Sequence, residues 1–339
     1  MRPATWPRDE VRMMVLDAAR RSLAHARVAD LGALLGPRDV LVVNDAATIP
    51  ASLPARVEAH PSLELRLASS SSDPAVWDAV LFGAGDWRTR TELRPPPPAL
   101  PVGASIRVAD ALDATVLAVS PRSSRLLTLR FEGPPEAFWR AVYAAGRPVQ
   151  YAHLRGELPL WHAQTAYAGR PWAVELPSAG HPLRWKHLDA ARAAGVTVLS
   201  VTHGAGLSAT GDERLDAALP LPERYEVPEA TARGVAAARR EGGRVIAVGT
   251  SAVRALEGCA REHGELRASS GFTDLRVGAS TPLRVTDAVL SGMHEPGTSH
   301  FELLSAFAPP SLLLDAVREG DARGYLGHEF GDACLVLAA

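Results

Sequence analysis

The sequence predicts an α/β protein: a mixed-sheet α/β main domain, residues 1–54 and 134–339, interrupted by a small all-β barrel domain over residues 55–133. Three observations point there. From about residue 172 onward, helical periodicities at 188–194, 230–241, 252–263 and 311–319 alternate with short apolar runs, as in βα units. Between about 55 and 133 the chain instead shows short alternating runs separated by Ser, Gly and Pro clusters, the signature of a small barrel. Finally, several β-branched apolar runs end abruptly in polar turns, as strands buried on both faces do.

In chain order, Asp39-Val40-Leu41-Val42-Val43 reads as a buried strand, with Asn44 and Asp45 as its polar end. Leu63-Glu64-Leu65-Arg66-Leu67 and Ser105-Ile106-Arg107-Val108 alternate at period two and belong to the barrel. The prolines at 95–98 cannot join a sheet interior, so they read as a surface connector. The run 196–202 leads into His203-Gly204-Ala205-Gly206 and repeats the strand-then-turn pattern. Val245 to Val248 is another buried strand, after which Val253, Leu256 and Ala260 recur at helical spacing. Between them, Gly249 permits a sharp turn, and Thr250 and Ser251 put hydroxyls at a helix N-terminus suited to a carboxylate or phosphate. Arg254, one turn on, is placed to clamp the same anion; a capping threonine in an ordinary βα turn is the structural alternative.

With 339 residues, 47% hydrophobic and 22% charged, the chain fits a globular protein of two domains. A formal charge of −2 leaves no global basic footprint, so any nucleic-acid contact has to be a local patch, such as the arginines at 233, 239, 240 and 244. Lys186 is the only lysine. Cys259 and Cys334 are too few for a disulfide framework or a cysteine zinc site. No apolar stretch reaches the ~18 to 20 residues of a membrane span or resembles a signal peptide, so a cytoplasmic location is expected.

Taken in order, the segments resemble the S-adenosylmethionine:tRNA ribosyltransferase-isomerase family of queuosine biosynthesis. The stretch Asn44-Asp45 with Ile49-Pro50-Ala51 is similar to the family's N-x-T-R-V-I-P-A-R-L turn. Leu176-Pro177-Ser178-Ala179-Gly180-His181 stands where the family has A-P-T-A-G-L-H-F, and Val201-Thr202-His203-Gly204-Ala205-Gly206 where it has V-T-L-H-V-G-A-G. Glu223 with Val227-Pro228 fits the H-S-E segment, and 248–257 fits V-G-T-T-S-V-R-x-L-E almost residue for residue. Met293-His294-Glu295-Pro296 and Leu304-Ser305-Ala306-Phe307 resemble F-H-L-P and V-S-A-F, and Phe330-Gly331-Asp332-Ala333 resembles the C-terminal S-Y-G-D-A. Ala47 and Ser52 replace two arginines of the pattern, His181-Pro182-Leu183 replaces Leu-His-Phe, and 326–330 replaces Arg-Phe-Phe-Ser-Tyr. These departures mark the chain as a divergent paralogue.

The resemblance implies that S-adenosylmethionine is a co-substrate: its ribosyl moiety passes to an amine and is isomerised to an epoxycyclopentanediol, with adenine and methionine released. A sulfonium acidifies its neighbouring C–H, so a side chain titrating near neutrality can begin the reaction. His203 and His294 are the candidate bases, and Glu223 and Asp332 the candidate acidic groups. Asn44, Gly204, Gly206, Gly249, Thr250, Ser251 and Arg254 are the candidate donor-binding residues. His181, His300 and His328 sit where the pattern departs, and Trp6, Trp161, Trp172 and Trp185 read as core or interface residues. No histidine spacing supports zinc, so no metal is expected. An arginine fork has no equivalent in alanine or serine. With one lysine and a negative net charge, this predicts weak tRNA binding and an amine-bearing small-molecule or other modified-nucleoside acceptor. Two alternatives stand beside this reading, a tRNA-modifying enzyme forming epoxyqueuosine and a non-catalytic paralogue that binds S-adenosylmethionine or a nucleoside. A monomer or homodimer is expected.

Overall fold

A computed structural model describes residues 2–3, 10–58, 60–154, 156–327 and 329–338; Trp6 and His328 lie outside the described residues. The frame is a nine-stranded mixed sheet. At its centre run four parallel strands, in spatial order Thr197–His203, Val40–Asn44, Val245–Val248 and Ala288–Gly292. The antiparallel strands Glu223–Val227 and Ser269–Thr273 extend it on one side. Ala333–Leu337, Arg12–Asp17 and Ser22–Arg27 complete it on the other.

The period-two geometry of a strand explains why the central runs are apolar throughout. Val40, Val42, Val245 and Ala247 point to one face, where they pack with Val235 and Ala238 of the helix Glu229–Arg240 and with Val253 and Leu256 of the helix Gly249–His263. Leu41, Val43, Ile246 and Val248 point to the other and meet Leu188 and Ala191 of the helix Trp185–Ala193. Each such side chain, fully buried, contributes about 1.5–3 kcal/mol relative to exposure.

The strands Ser52–Val57, His60–Ser70, Val76–Phe82, Ser105–Val108, Leu112–Val119 and Leu126–Phe131 form a closed barrel. Leu53, Leu65, Leu67, Ile106 and Val108 fill it. The helix Pro135–Ala145, which has no counterpart in the sequence-based reading, packs against it through Phe138, whose ring stacks on Trp77 at 5.5 Å. The prolines at 95–98 lie outside every strand.

At the amino ends of the central strands, Asp39 ties the chain together. Its carboxylate accepts from the Gly36 amide at 2.8 Å, the Arg244 amide at 2.9 Å and the Arg244 guanidinium at 2.5 Å. Burial works to raise the Asp39 carboxyl, but the Arg244 side chain and the two amides outweigh it and hold it below its ordinary value. Its stabilisation is therefore complete above the unfolded-state value and lost as pH falls through the lower folded value. Asp39→Asn is expected to lower stability at pH 7 by about 1–2 kcal/mol, given the half-open Arg244 side chain. Urea denaturation at pH 7 and near pH 3 checks this: the gap to wild type should narrow in acid.

Candidate active site

The opposite, carboxyl ends of the parallel strands are where an α/β sheet leaves a crevice for ligands. Asn44 stands at the middle of that edge, buried, with both ends of its amide engaged. Its Nδ2 donates to the His203 carbonyl at 2.9 Å and to Ser251 Oγ at 3.1 Å. Its Oδ1 accepts from the His203 amide at 2.9 Å and the Ala46 amide at 3.1 Å. One side chain thereby joins two strand ends to the first turn of the helix Gly249–His263. Gly249 begins that helix with φ of +87°, a left-handed conformation that a Cβ would strain. Of the two hydroxyls expected to face an anion, Ser251 is buried against Asn44, whereas Thr250 is half-buried.

Behind this edge lies a buried charged group. The strand Glu223–Val227 runs antiparallel to Thr197–His203, which brings Glu223 beside His203. Glu223 Oε2 lies 2.6 Å from Arg254 Nη2 and 3.3 Å from His203 Nε2, and its Oε1 accepts from the Gly206 amide at 2.6 Å. Close approach explains the glycines: a Cβ on Gly206 would lie 3.2 Å from Glu223 Oε1, and one on Gly204 2.8 Å from the Trp172 carbonyl. Burial, and then the Arg254 charge, push His203 well below its ordinary value, so its imidazole is neutral. Burial raises Glu223, with Arg254 and the Gly206 amide opposing. Both His203 ring nitrogens and Arg254 Nε lack a hydrogen-bond partner among the described residues.

Above this group opens a cleft of about 1120 Å³. Its wall includes His294 and Asp332 of the sequence-predicted residues, but not His203, Glu223, Asn44, Gly204, Gly206 or the turn at 249–254. The turn lies just beneath, since a Cβ on Gly249 would sit 3.4 Å from Cβ of Ala179, which lines the cleft. His294 hydrogen bonds through Nε2 with Ser291 Oγ at 2.7 Å and stacks on His300 at 4.8 Å. Burial first and Arg254 second depress His300 to about 4, so the field of the part-buried arginine reaches the cleft. Asp332 accepts from the Arg12 amide, the Arg12 guanidinium at 2.8 Å and the Leu326 amide at 2.9 Å, and so braces the C-terminal strand. His181, depressed to about 4 by burial, hydrogen bonds with the His162 carbonyl.

The sequence-based reading missed Glu175. It lines the cleft, accepts a hydrogen bond from the Tyr151 hydroxyl and another from the Ser208 amide at 2.9 Å, and burial raises it to about 7 against those two contacts. That value suits a group that exchanges a proton at neutral pH. Trp161 and Trp185 are not core residues: they are 74% and 51% exposed, and Trp161 and Lys186 both line the cleft. Two arginines lie against the Trp172 ring, Arg224 at 3.9 Å and Arg170 at 5.5 Å from its centre. Among the described residues, no group of His, Cys, Asp or Glu is placed to hold a metal ion, and no helix is long and apolar enough to cross a membrane.

Comparison with known proteins adds a second line of information. The profile of a family described as queuosine biosynthesis protein matches residues 2–336. The S-adenosylmethionine:tRNA ribosyltransferase-isomerase of Thermus thermophilus is 35% identical over 338 residues, covering 98% of this chain and 94% of its own. That of Anaeromyxobacter dehalogenans is 36% identical over 340 residues, covering 98% and 93%. The crystal structure of the S-adenosylmethionine tRNA ribosyltransferase of Thermotoga maritima aligns with a TM-score of 0.53 at 25% identity, covering 99% of this chain and 95% of that one.

The buried ion pair generates a stability test. Arg254→Ala leaves Glu223 enclosed without its counter-charge and is expected to cost about 3–5 kcal/mol. Chemical denaturation measures this, and adding Glu223→Gln should recover part of the loss.

Proposed function

The chain belongs to the queuosine biosynthesis protein family, and on that premise we propose that it is an S-adenosylmethionine:tRNA ribosyltransferase-isomerase whose reaction takes place in the cleft at the carboxyl ends of the parallel strands. The single observation that carries the choice of site is Glu175, a carboxyl raised to about 7 on the wall of that cleft. At neutral pH a substantial share of it is ionised, so it can accept a proton from the carbon next to the donor's sulfonium; the electron pair stays on that carbon, stabilised by the positive sulfur. His294, hydrogen bonded with Ser291 and stacked on His300, is the second proton-transfer group we assign, positioned for the later steps that release adenine and methionine. In this reading Asn44, Gly204, Gly206 and the turn at 249–254 form the scaffold under the donor. Arg254 acts on the cleft through its field, and Asp332 holds the wall.

The relatives' names favour tRNA over the small-molecule acceptor expected from the sequence. The cleft wall supports the same choice. Lys186, the chain's only lysine, lies there with the exposed Trp161, and cationic groups interleaved with aromatic faces are how proteins hold single-stranded nucleic acid. Two missing arginines in the first turn do not remove that surface; Ser52 instead faces the buried Arg66 across the barrel ladder.

Incubation with S-adenosylmethionine and tRNA carrying an amine-bearing deazaguanine, followed by mass spectrometry, tests the proposal. Adenine and methionine should appear together with a mass gain on the tRNA, and none of the three without tRNA. Release with no tRNA product would favour the small-molecule acceptor, and no release at all the non-catalytic reading. Glu175→Gln is expected to lower turnover by about 10²–10⁴-fold. As a base must be deprotonated, wild-type kcat/KM should rise with pH through about 7, and the variant should lose that limb.

A further inference from the structure

The barrel contributes a charge that the proposed reaction has not yet used. Arg66, in the strand His60–Ser70, is fully buried. Its Nε donates to Glu64 Oε1 at 2.5 Å, Ser52 Oγ donates to the same oxygen at 2.7 Å, and Arg94, also buried, takes the other oxygen of Glu64. Two enclosed guanidinium groups thus share one carboxylate, which leaves one positive charge without a counter-ion inside this cluster. Arg94 is further satisfied by the carbonyls of Gly83, at 2.5 Å, and Gly85, at 2.9 Å. Each arginine still keeps one nitrogen without a hydrogen-bond partner among the described residues, Nη1 of Arg66 and Nε of Arg94.

Enclosing an unbalanced charge is costly, so a surplus of this kind persists where something answers it. The guanidinium of Arg66 lies over the Phe82 ring at 4.5 Å and 5.4 Å from the centre of the Tyr151 ring. Tyr151, at the main-domain side of the contact, donates its hydroxyl to Glu175. Burial works against the charge on Arg66; Glu64 first, then Tyr151 and after it Glu175 sustain it. An interaction that favours one ionised partner favours the other equally.

We propose that Arg66 is a positioning residue for the proton-transfer step: its unbalanced charge, acting past the Tyr151 ring, holds Glu175 in the ionised form that accepts a proton. The barrel is thereby part of the reaction's machinery without touching substrate. Other groups face the same carboxylate and phenol. The Ser208 amide bonds to Glu175, and the Ser208 hydroxyl lies 3.3 Å from the Tyr151 oxygen. The His153 ring stacks on Tyr151 at 6.4 Å, and Glu329, paired with His153, opposes ionisation of Glu175.

The inference rests on Glu175 as the base, and pH profiles of adenine release in the presence of tRNA separate the two claims. Arg66→Met and Tyr151→Phe should each move the rising limb of kcat/KM upward by roughly one pH unit, the lower end of what a nearby opposite charge produces. Arg66→Lys, which keeps the charge, should hold the limb near its wild-type position. A residue with only a structural role would lower activity at every pH without moving the limb. An unmoved limb in Arg66→Met overturns the proposal, as does a limb that moves as far in Arg66→Lys as in Arg66→Met; should Arg66→Met fail to fold, an unmoved limb in Arg66→Gln, which drops the charge but can still hydrogen bond to Glu64, overturns it equally. Persistence of the limb in Glu175→Gln would overturn the assignment of Glu175 itself.

Discussion

The carboxyl edge of the parallel sheet holds together through the side chain of Asn44. A strand end exposes backbone groups that have no further ladder partner, and a buried one must find substitutes. Asn44 supplies them for its neighbour by bonding both the amide and the carbonyl of His203, and it reaches across to Ser251 in the helix that follows the next strand. Because two strands and a helix are fixed there, the loops beyond them start from defined positions. Ser208 of the cleft wall lies on such a loop, beyond the strand that ends at His203, while Glu175, Ala179 and His294 come from neighbouring connections.

Charge is distributed around this edge in layers. Deepest lies the ion pair of Glu223 with Arg254, beside a neutral His203. Burial, and after it the Arg254 charge, depress His300 in the wall above, so the stacked pair of His300 with His294 stays uncharged on at least one ring at neutral pH. On the barrel side, Arg66 faces the wall through Tyr151. Cations, Arg66 buried and Arg254 part-buried, thus lie behind the cleft on two sides, with Glu175 between burial, which favours its neutral form, and its hydrogen bonds, which favour the charged one. A carboxyl balanced in that way titrates where catalysis at neutral pH requires.

Much of this was legible in the chain. Strands buried on both faces announce themselves as β-branched runs, which is why Val40 to Val43 and Val245 to Val248 were placed correctly, and the barrel's period-two alternation is equally local. The turn pattern singled out Arg254, and the resemblance Glu223 and His203, but each was given a separate role. Their actual relation depends on the antiparallel pairing of two strands, and pairing is not written in either segment alone. Glu175 escaped notice for a similar reason. In sequence it is one acidic residue before Leu176-Pro177, and its raised value arises only when the fold buries it, against the hydrogen bonds of Tyr151 and Ser208, 24 and 33 residues away. The exposure of Trp161 contradicts the usual preference of tryptophan for interiors and becomes intelligible only once it is seen on the wall of a cleft.

The central claim is that the donor occupies the cleft, with its sulfonium end at Glu175, and that the turn at 249–254 supports it from below. The most direct test is a crystal structure with bound S-adenosylhomocysteine. The expected result is the ligand's ribose C5′ within reach of the Glu175 carboxylate, with Arg254 still paired to Glu223. Ligand density seated in the turn at 249–254, with Arg254 drawn away from Glu223 onto the amino-acid carboxylate, would contradict it.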